Sequence, residues 1–320
     1  TGETAPAPVV AAANGRTTLA FDFASGESAF VVFDRARAPG AAAACAVDAE
    51  GKLTFLNIVG TQGKHPCYVS VSPDGKFVYA ANYSEGTATV FAVDENGALK
   101  DDPKIVVHQG TGANPRRQEK PHVHCTRITP DGKYLAVCDL GIDAVVLYPL
   151  CGKCGLDATR GSFVRTPAGN GPRHIEFSRD GKYAYVVTEM GCTVRAYAYE
   201  DGRMTFLSAV NTLPEGFAGE NIDAAIHFAP DGKTLVVSNR GDDSLALFEA
   251  EGGKLTLKQI VKVGGKTPRE FAYTPDGKMV FCCNQDSSDI TVLKVNADGT
   301  LTLTDKRFEL PRPVSLIWKN

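Results

Sequence analysis

Five near-identical phrases punctuate this chain: Pro73-Asp74-Gly75-Lys76, Pro130-Asp131-Gly132-Lys133, Arg179-Asp180-Gly181-Lys182, Pro230-Asp231-Gly232-Lys233 and Pro275-Asp276-Gly277-Lys278. Their aspartates are 57, 49, 51 and 45 residues apart, so one small unit recurs along the chain. A recurring unit supplies its own ruler. Positions equivalent between units fall on the same face of the molecule, and an odd residue at such a position can be read as function.

Each phrase lies between two β-rich runs, for example Tyr68 to Ser72 before it and Phe77 to Ala81 after it. Aspartate followed by glycine provides the backbone of a tight hairpin, because glycine takes positive φ at no steric cost. A third β run (Thr87 to Val93), a turn (Asp94 to Gly97) and a more polar last run complete the unit. Four short antiparallel strands per unit of roughly 45–50 residues predict the blade of an all-β β-propeller. No long stretch shows the i, i+3, i+4, i+7 apolar spacing of a helix, and a β-sandwich needs no sequence repeat. Units begin near His65, Pro121, Gly171, Asp223 and Thr267, with a degenerate one from Thr17 to Phe55. The run Pro313 to Trp318 resembles a lone first strand that closes a ring, so the count is six full units plus a closing strand.

The reading is therefore a flexible leader over 1–16 and a single propeller domain over 17–320. A formal net charge of −3 argues against a nucleic-acid or anionic-membrane partner. No run of about 20 apolar residues is present to span a membrane. The nine cysteines lie mostly within strands, as small buried apolar residues rather than a disulfide framework, which points to a reducing, cytoplasmic home. Cys151-Gly152-Lys153-Cys154 is a lone CxxC without the second pair of ligands a zinc site needs, and reads as a loop feature. A monomer or weak homo-oligomer is expected.

With the units aligned on the turn aspartate, the position seven residues before it holds Cys67, His124, Arg173, Ala224 and Arg269. This position opens the first strand, which lines the channel of a propeller. Nine residues after the aspartate come Tyr83, Leu140, Glu189, Arg240 and Gln285, and one position earlier Asn82, Asp139, Thr188, Asn239 and Asn284. A hairpin brings its open ends together, so one mouth carries His124, Arg173, Glu189, Arg240 and Arg269, with Asn239, Asn284 and Gln285 between them. Guanidinium forks match carboxylate or phosphate oxygens, so this set predicts a site for a small polyanion. One arginine alone is as easily a structural donor to channel carbonyls; two at one register, joined by Arg240, favour binding. Glu189 reads as their counter-ion or, beside His124, as a general base. His122 shares the face of His124 but lies further out. His174 should point away from Arg173 into a blade interface, His227 should pack, and His65 and His108 read as surface or loop. The Arg116-Arg117 pair and Lys120 read as a solvated charge run, with extra phosphate donors as the alternative.

These residues also carry a resemblance. Gly171-Pro172-Arg173-His174, Thr188-Glu189, Asn239-Arg240-Gly241 and Thr267-Pro268-Arg269 occur in the order found in the propeller-type lactonases, a family that includes bacterial 6-phosphogluconolactonases and fungal carboxy-cis,cis-muconate cyclases. The chain resembles that family over 17–320, most strongly over 65–295. The resemblance implies seven blades, no cofactor and no metal. It also implies His124 and Glu189 as the proton-handling pair, Arg173 and Arg240 acting with them on a lactone carbonyl, and Arg269, Asn239, Asn284, Gln285 and His122 binding substrate. In the phosphogluconolactonase branch the reaction is hydrolysis of 6-phosphoglucono-δ-lactone in the oxidative pentose phosphate route. In the cyclase branch the same groups close a carboxy-muconate lactone. A non-catalytic propeller that binds a ligand or a protein partner is the third reading, since fold alone does not choose.

Overall fold

The computed structural model describes residues 53–317 continuously and, before them, the strands Val9–Ala13, Arg16–Leu19, Phe30–Val32 and Ala41–Val47. Its architecture is all-β, with seven antiparallel sheets among the described residues. Five hold four or more strands each, over residues 66–107, 123–165, 172–211, 222–262 and 268–309, so the five Asp-Gly units of the sequence are five blades. A three-stranded sheet (Phe30–Val32, Ala41–Val47 and Leu53–Gly60) and a hairpin (Val9–Ala13 with Arg16–Leu19) precede them.

The repeated turn forms for reasons visible in its residues. The aspartate accepts from the amide two residues on, Lys76 N to Asp74 Oδ1 at 3.2 Å and Lys133 N to Asp131 Oδ1 at 3.1 Å. It also accepts a hydroxyl from two residues back, with Ser72, Thr129, Ser178 and Thr274 each at 2.6 Å. The following glycine takes positive φ, from 67° to 71° across the five turns, which a side chain there would strain. Where the hydroxyl is missing, at Ala229, Asp231 instead accepts from Thr234 N and Oγ1.

The core lies between blades rather than inside any one of them. Tyr79 and Val90 of one blade meet Val137 and Val146 of the next; Leu147 meets Val186 and Tyr197; Tyr185 meets Leu235 and Phe248; Leu247 meets Phe271 and Val280. Each such side chain contributes about 1.5–3 kcal/mol when fully buried, so neighbouring blades are held by their faces and need no covalent tie. Val59 and Leu56 of the three-stranded sheet pack in the same way on Val78, Ala80 and Phe91, and Asn57 Nδ2 donates to Leu99 O at 2.7 Å.

Three expectations change. Thr17 to Leu19 does not open the degenerate unit: it pairs with Val9–Ala13, which lies within the expected leader. Pro313 to Ile317 joins no ladder among the described residues; Pro311 and Pro313 bring no amide donor to an edge. Cys151 and Cys154 are joined as a disulfide across a β-turn, whereas Cys125, Cys138, Cys192, Cys282 and Cys283 are free and buried, as expected for small apolar residues. Among the described residues, no helix is long and apolar enough to cross a membrane.

Candidate active site

The first strand of each full blade carries an irregularity at the position the sequence ruler singles out. Pro172 pairs with Thr188 but His174 with Val187, leaving Arg173 as an extra residue. The same happens around Cys67, His124 and Arg269, between Pro66 and Tyr68, Val123 and Cys125, and Pro268 and Glu270. A β-bulge re-aims side chains and releases a residue from the ladder, and it is how this fold turns His124, Arg173 and Arg269 toward one another.

Glu189 is the centre of the cluster and is only 3 % exposed. Its Oε2 accepts from Arg173 Nε at 3.0 Å and pairs with Arg240 Nη2 at 2.9 Å. Its Oε1 is taken by Arg117 Nη2, which also donates to the Tyr83 hydroxyl at 3.3 Å. Burial alone would raise the carboxyl; Arg240 and Arg173, then His124 and Arg117, outweigh it and hold Glu189 well below the usual carboxylate range. Arg240 also donates to Asp223 O at 2.9 Å, and Arg269 Nη1 donates to Gln285 Oε1 at 3.3 Å. Burial, with Arg240 and Arg269 close by, brings Arg173 down to about 9, so it stays charged at neutral pH.

His124 is buried against the same arginines. Burial first, then Arg173, Arg269 and Arg240, push its imidazole well below its ordinary value, and Glu189 opposes them only in part. It is a neutral ring whose Nδ1 has no hydrogen-bond partner among the described residues. Tyr83 and His174 hold it edge-on, with ring centroids 5.6 and 5.1 Å away. A neutral imidazole with an unpartnered nitrogen, next to clustered guanidiniums, can take a proton from a water admitted beside it while the arginines stabilise a developing oxyanion. Cys67, at the same register, is pushed up to about 12 by burial and is no nucleophile.

The structure thus gathers His124, Arg173, Glu189 and Arg240, with Arg269 and Gln285 joined to each other beside them. His122 stacks on Tyr83 at 4.5 Å and faces Glu119 (Nε2 to Oε2, 3.2 Å), at the edge of the cluster. Asn239 and Asn284 are a correction: both are turned into their own blades. Asn239 Nδ2 donates to Thr212 O and Ser244 Oγ, at 3.0 and 3.2 Å. Asn284 Nδ2 donates to Asp289 Oδ1 and Thr291 Oγ1, at 2.9 and 3.0 Å, as Asn82 does to Thr87 and Thr89. A Cβ on Gly265 would lie 2.2 Å from Asn284 Nδ2, so the amide is sealed beneath that glycine. This register ties the second strand to the third.

Further readings are overturned. His174 does not point away from Arg173; the bulge puts both on one side, and Arg173 Nη1 lies 3.2 Å from His174 Nε2. His108 is buried between Asp139 Oδ2 at 2.7 Å and the Tyr148 hydroxyl at 3.0 Å, while His65 is exposed as expected. His227 bridges Glu176 and Glu270, at 3.3 and 2.7 Å, instead of packing as a neutral ring. Of the Arg116-Arg117 pair, Arg116 is exposed and Arg117 reaches the site; it sits on a loop outside the repeat register, where no spacing rule could find it.

Comparison with known proteins gives the family and agrees with the fold. Residues 1–318 match the family model described as lactonase, 7-bladed beta-propeller. A Bacillus subtilis protein named 6-phosphogluconolactonase is 37% identical over 287 residues, covering 88% of this chain and 81% of that protein. Among solved structures, a periplasmic gluconolactonase of Pseudomonas aeruginosa superposes with a TM-score of 0.81 at 33% identity, over 88% of this chain and 80% of that one. A Lactobacillus plantarum protein gives 0.83 at 35% identity, over 92% and 86%.

Proposed function

The chain belongs to the seven-bladed β-propeller lactonase family, and from that premise we propose that it hydrolyses a small anionic sugar lactone, 6-phosphoglucono-δ-lactone before others. The observation that carries the reading is the buried His124, whose Nδ1 has no hydrogen-bond partner among the described residues, beside arginines gathered on one carboxylate. The guanidiniums around Glu189 stabilise its ionised form and occupy both its oxygens, so its part is to hold Arg173 and Arg240 in place. His124 takes a proton from water as the water oxygen bonds to the lactone carbonyl carbon. Arg173 and Arg240 face the oxyanion that forms. As the ring C–O bond breaks, the imidazolium returns its proton to the leaving alkoxide, giving the free hydroxy acid and the resting enzyme.

The deciding assay follows freshly generated 6-phosphoglucono-δ-lactone, coupled to 6-phosphogluconate dehydrogenase, with and without EDTA. Acceleration over the spontaneous rate that EDTA leaves unchanged, and that falls about 10²–10⁴-fold in His124→Ala, is the expected result. A folded sample that accelerates nothing refutes it, and lactone formation from a carboxy-muconate instead would move the chain to the cyclase branch.

A further inference from the structure

Arg117 is the one member of the cluster that comes from a loop and keeps contact with solvent. Its side chain is 36% exposed, whereas those of Arg173 and Arg240 are 2% and 8% exposed. Those two share Glu189 Oε2, and neither can leave without stranding a buried charge. Arg117 sits alone on Oε1 and can exchange that partner for another anion while its guanidinium stays hydrated.

The loop beneath it is built to stay still. Gln118 is fully buried, and its Nε2 donates to Leu140 O at 2.8 Å. Asn114 N donates to Gln118 Oε1 at 2.9 Å, and Asn114 Oδ1 caps the amides of Arg116 and Arg117 at 3.0 and 3.2 Å. Asn114 Nδ2 reaches Met190 Sδ at 3.7 Å, next in sequence to Glu189. A side chain that swings on a fixed base loses little order on binding, so its contact with a ligand is preorganised.

Resting on the lactonase reading, we propose that Arg117 is the specificity residue for a doubly charged phosphate on the substrate: it leaves Glu189 Oε1 to bind the phosphate oxygens. Among the described residues three guanidiniums, on Arg117, Arg173 and Arg240, converge on the one carboxylate of Glu189, so the site is matched to a ligand carrying more than one negative charge. A planar fork also suits a phosphate in two-point contact.

The test compares wild type, Arg117→Ala and Arg117→Lys on 6-phosphoglucono-δ-lactone and on glucono-δ-lactone. The same proteins are titrated by calorimetry with the acids 6-phosphogluconate and gluconate. Arg117→Ala should lose about 10- to 100-fold in kcat/KM on the phosphorylated lactone, the range of a charged hydrogen bond, and under about 3-fold on the other. Arg117→Lys should recover part of the loss. Equal losses on both lactones overturn the assignment and leave the lactonase reading intact. Wild-type turnover of neither lactone refutes the lactonase reading, and calorimetry then decides Arg117. Selective weakening of 6-phosphogluconate in Arg117→Ala supports it, whereas equal affinities in the two proteins, or no binding by wild type, overturn it.

Discussion

Replacing Glu189 by glutamine removes one charge and keeps the shape, so it isolates what the carboxylate does for the arginines around it. Arg173 and Arg240, almost fully enclosed, both rest on Oε2. The amide oxygen, with two lone pairs, can still accept from both in place of Oε2, but it carries no charge, and the NH₂ group then faces Arg117, which offers only donors. Breaking a buried pair by removing one partner costs about 3–5 kcal/mol, because the remaining charge is uncompensated. Arg117 adds little, since its exposed guanidinium is screened by solvent. For a domain of 320 residues, at about 2.1 cal/mol/K of unfolding entropy per residue, that corresponds to a drop in Tm of roughly 4–8 °C. The loss must also depend on pH. Glu189 titrates lower in the folded than in the unfolded chain, so its contribution is complete above the unfolded value near 4.3 and disappears as pH falls toward the folded value. Thermal melts of both proteins at pH 7, 5 and 3 should therefore show a gap that is full at 7, nearly full at 5 and smaller at 3. An added phosphate or 6-phosphogluconate should stabilise the variant, with about 2.7 kcal/mol available at a hundredfold excess over Kd. A gap below 2 °C at pH 7, or one unchanged at pH 3, would refute the view that Glu189 is the electrostatic keystone of the cluster.

Two more outcomes follow from the same geometry. His124 is held neutral by burial and three arginines, and a base loses activity only as pH falls through its folded value. The pH profile of kcat/KM should thus stay flat through the ordinary imidazole value near 6.5, and an acid limb centred there would contradict the assignment. Asn284→Ala should cost about 1–3 kcal/mol in stability, by removing the buried amide that donates to Asp289 and Thr291, yet change KM less than 2-fold. A raised KM at an unchanged Tm would return Asn284 to the substrate.

The repeat made most of the fold legible. An Asp-Gly turn is a local event, needing a carboxylate to cap the next amides and a glycine at positive φ, so five turns and their flanking strands could be placed from residues alone. Counting from those turns also found His124, Arg173, Glu189 and Arg240. The count was blind to the bulge. A bulge with glycine at its first position leaves a mark in sequence, but here the extra residues are Cys67, His124, Arg173 and Arg269, none of which differs in backbone preference from a ladder residue. Strict alternation therefore sent His174 the wrong way. Alternation did hold in the second strand, where Glu189 faces the arginines and Thr188 bonds Thr193 Oγ1 at 2.7 Å inside the blade; Asn239 and Asn284 should have been read with Thr188 rather than with Glu189. Arg117 could be named only as the lesser alternative to a solvated charge run, because its position is set by a loop whose fold depends on Gln118 and Asn114, contacts that no repeat encodes.

Charge placement along the inner strands explains why an anion would stop at this mouth. Three residues beyond the bulge toward the Asp-Gly turn, the same strands carry Arg127, Glu176 and His227. Arg127 pairs with Glu176 at 2.9 Å, and His227 lies between Glu176 and Glu270. Burial would lower the His227 ring, but Glu270 and Glu176 raise it to about 10, so it is charged at neutral pH and two cations are matched by two carboxylates. That layer is satisfied internally and gains nothing from an added anion. The mouth is not: among the described residues Arg117, Arg173 and Arg240 share the one carboxylate of Glu189, and burial together with the neighbouring guanidiniums keeps the His124 ring from adding another positive charge. The imbalance does two jobs at once. It leaves a field suited to the anionic lactone proposed as substrate, and it holds the imidazole in the form that can accept a proton from water.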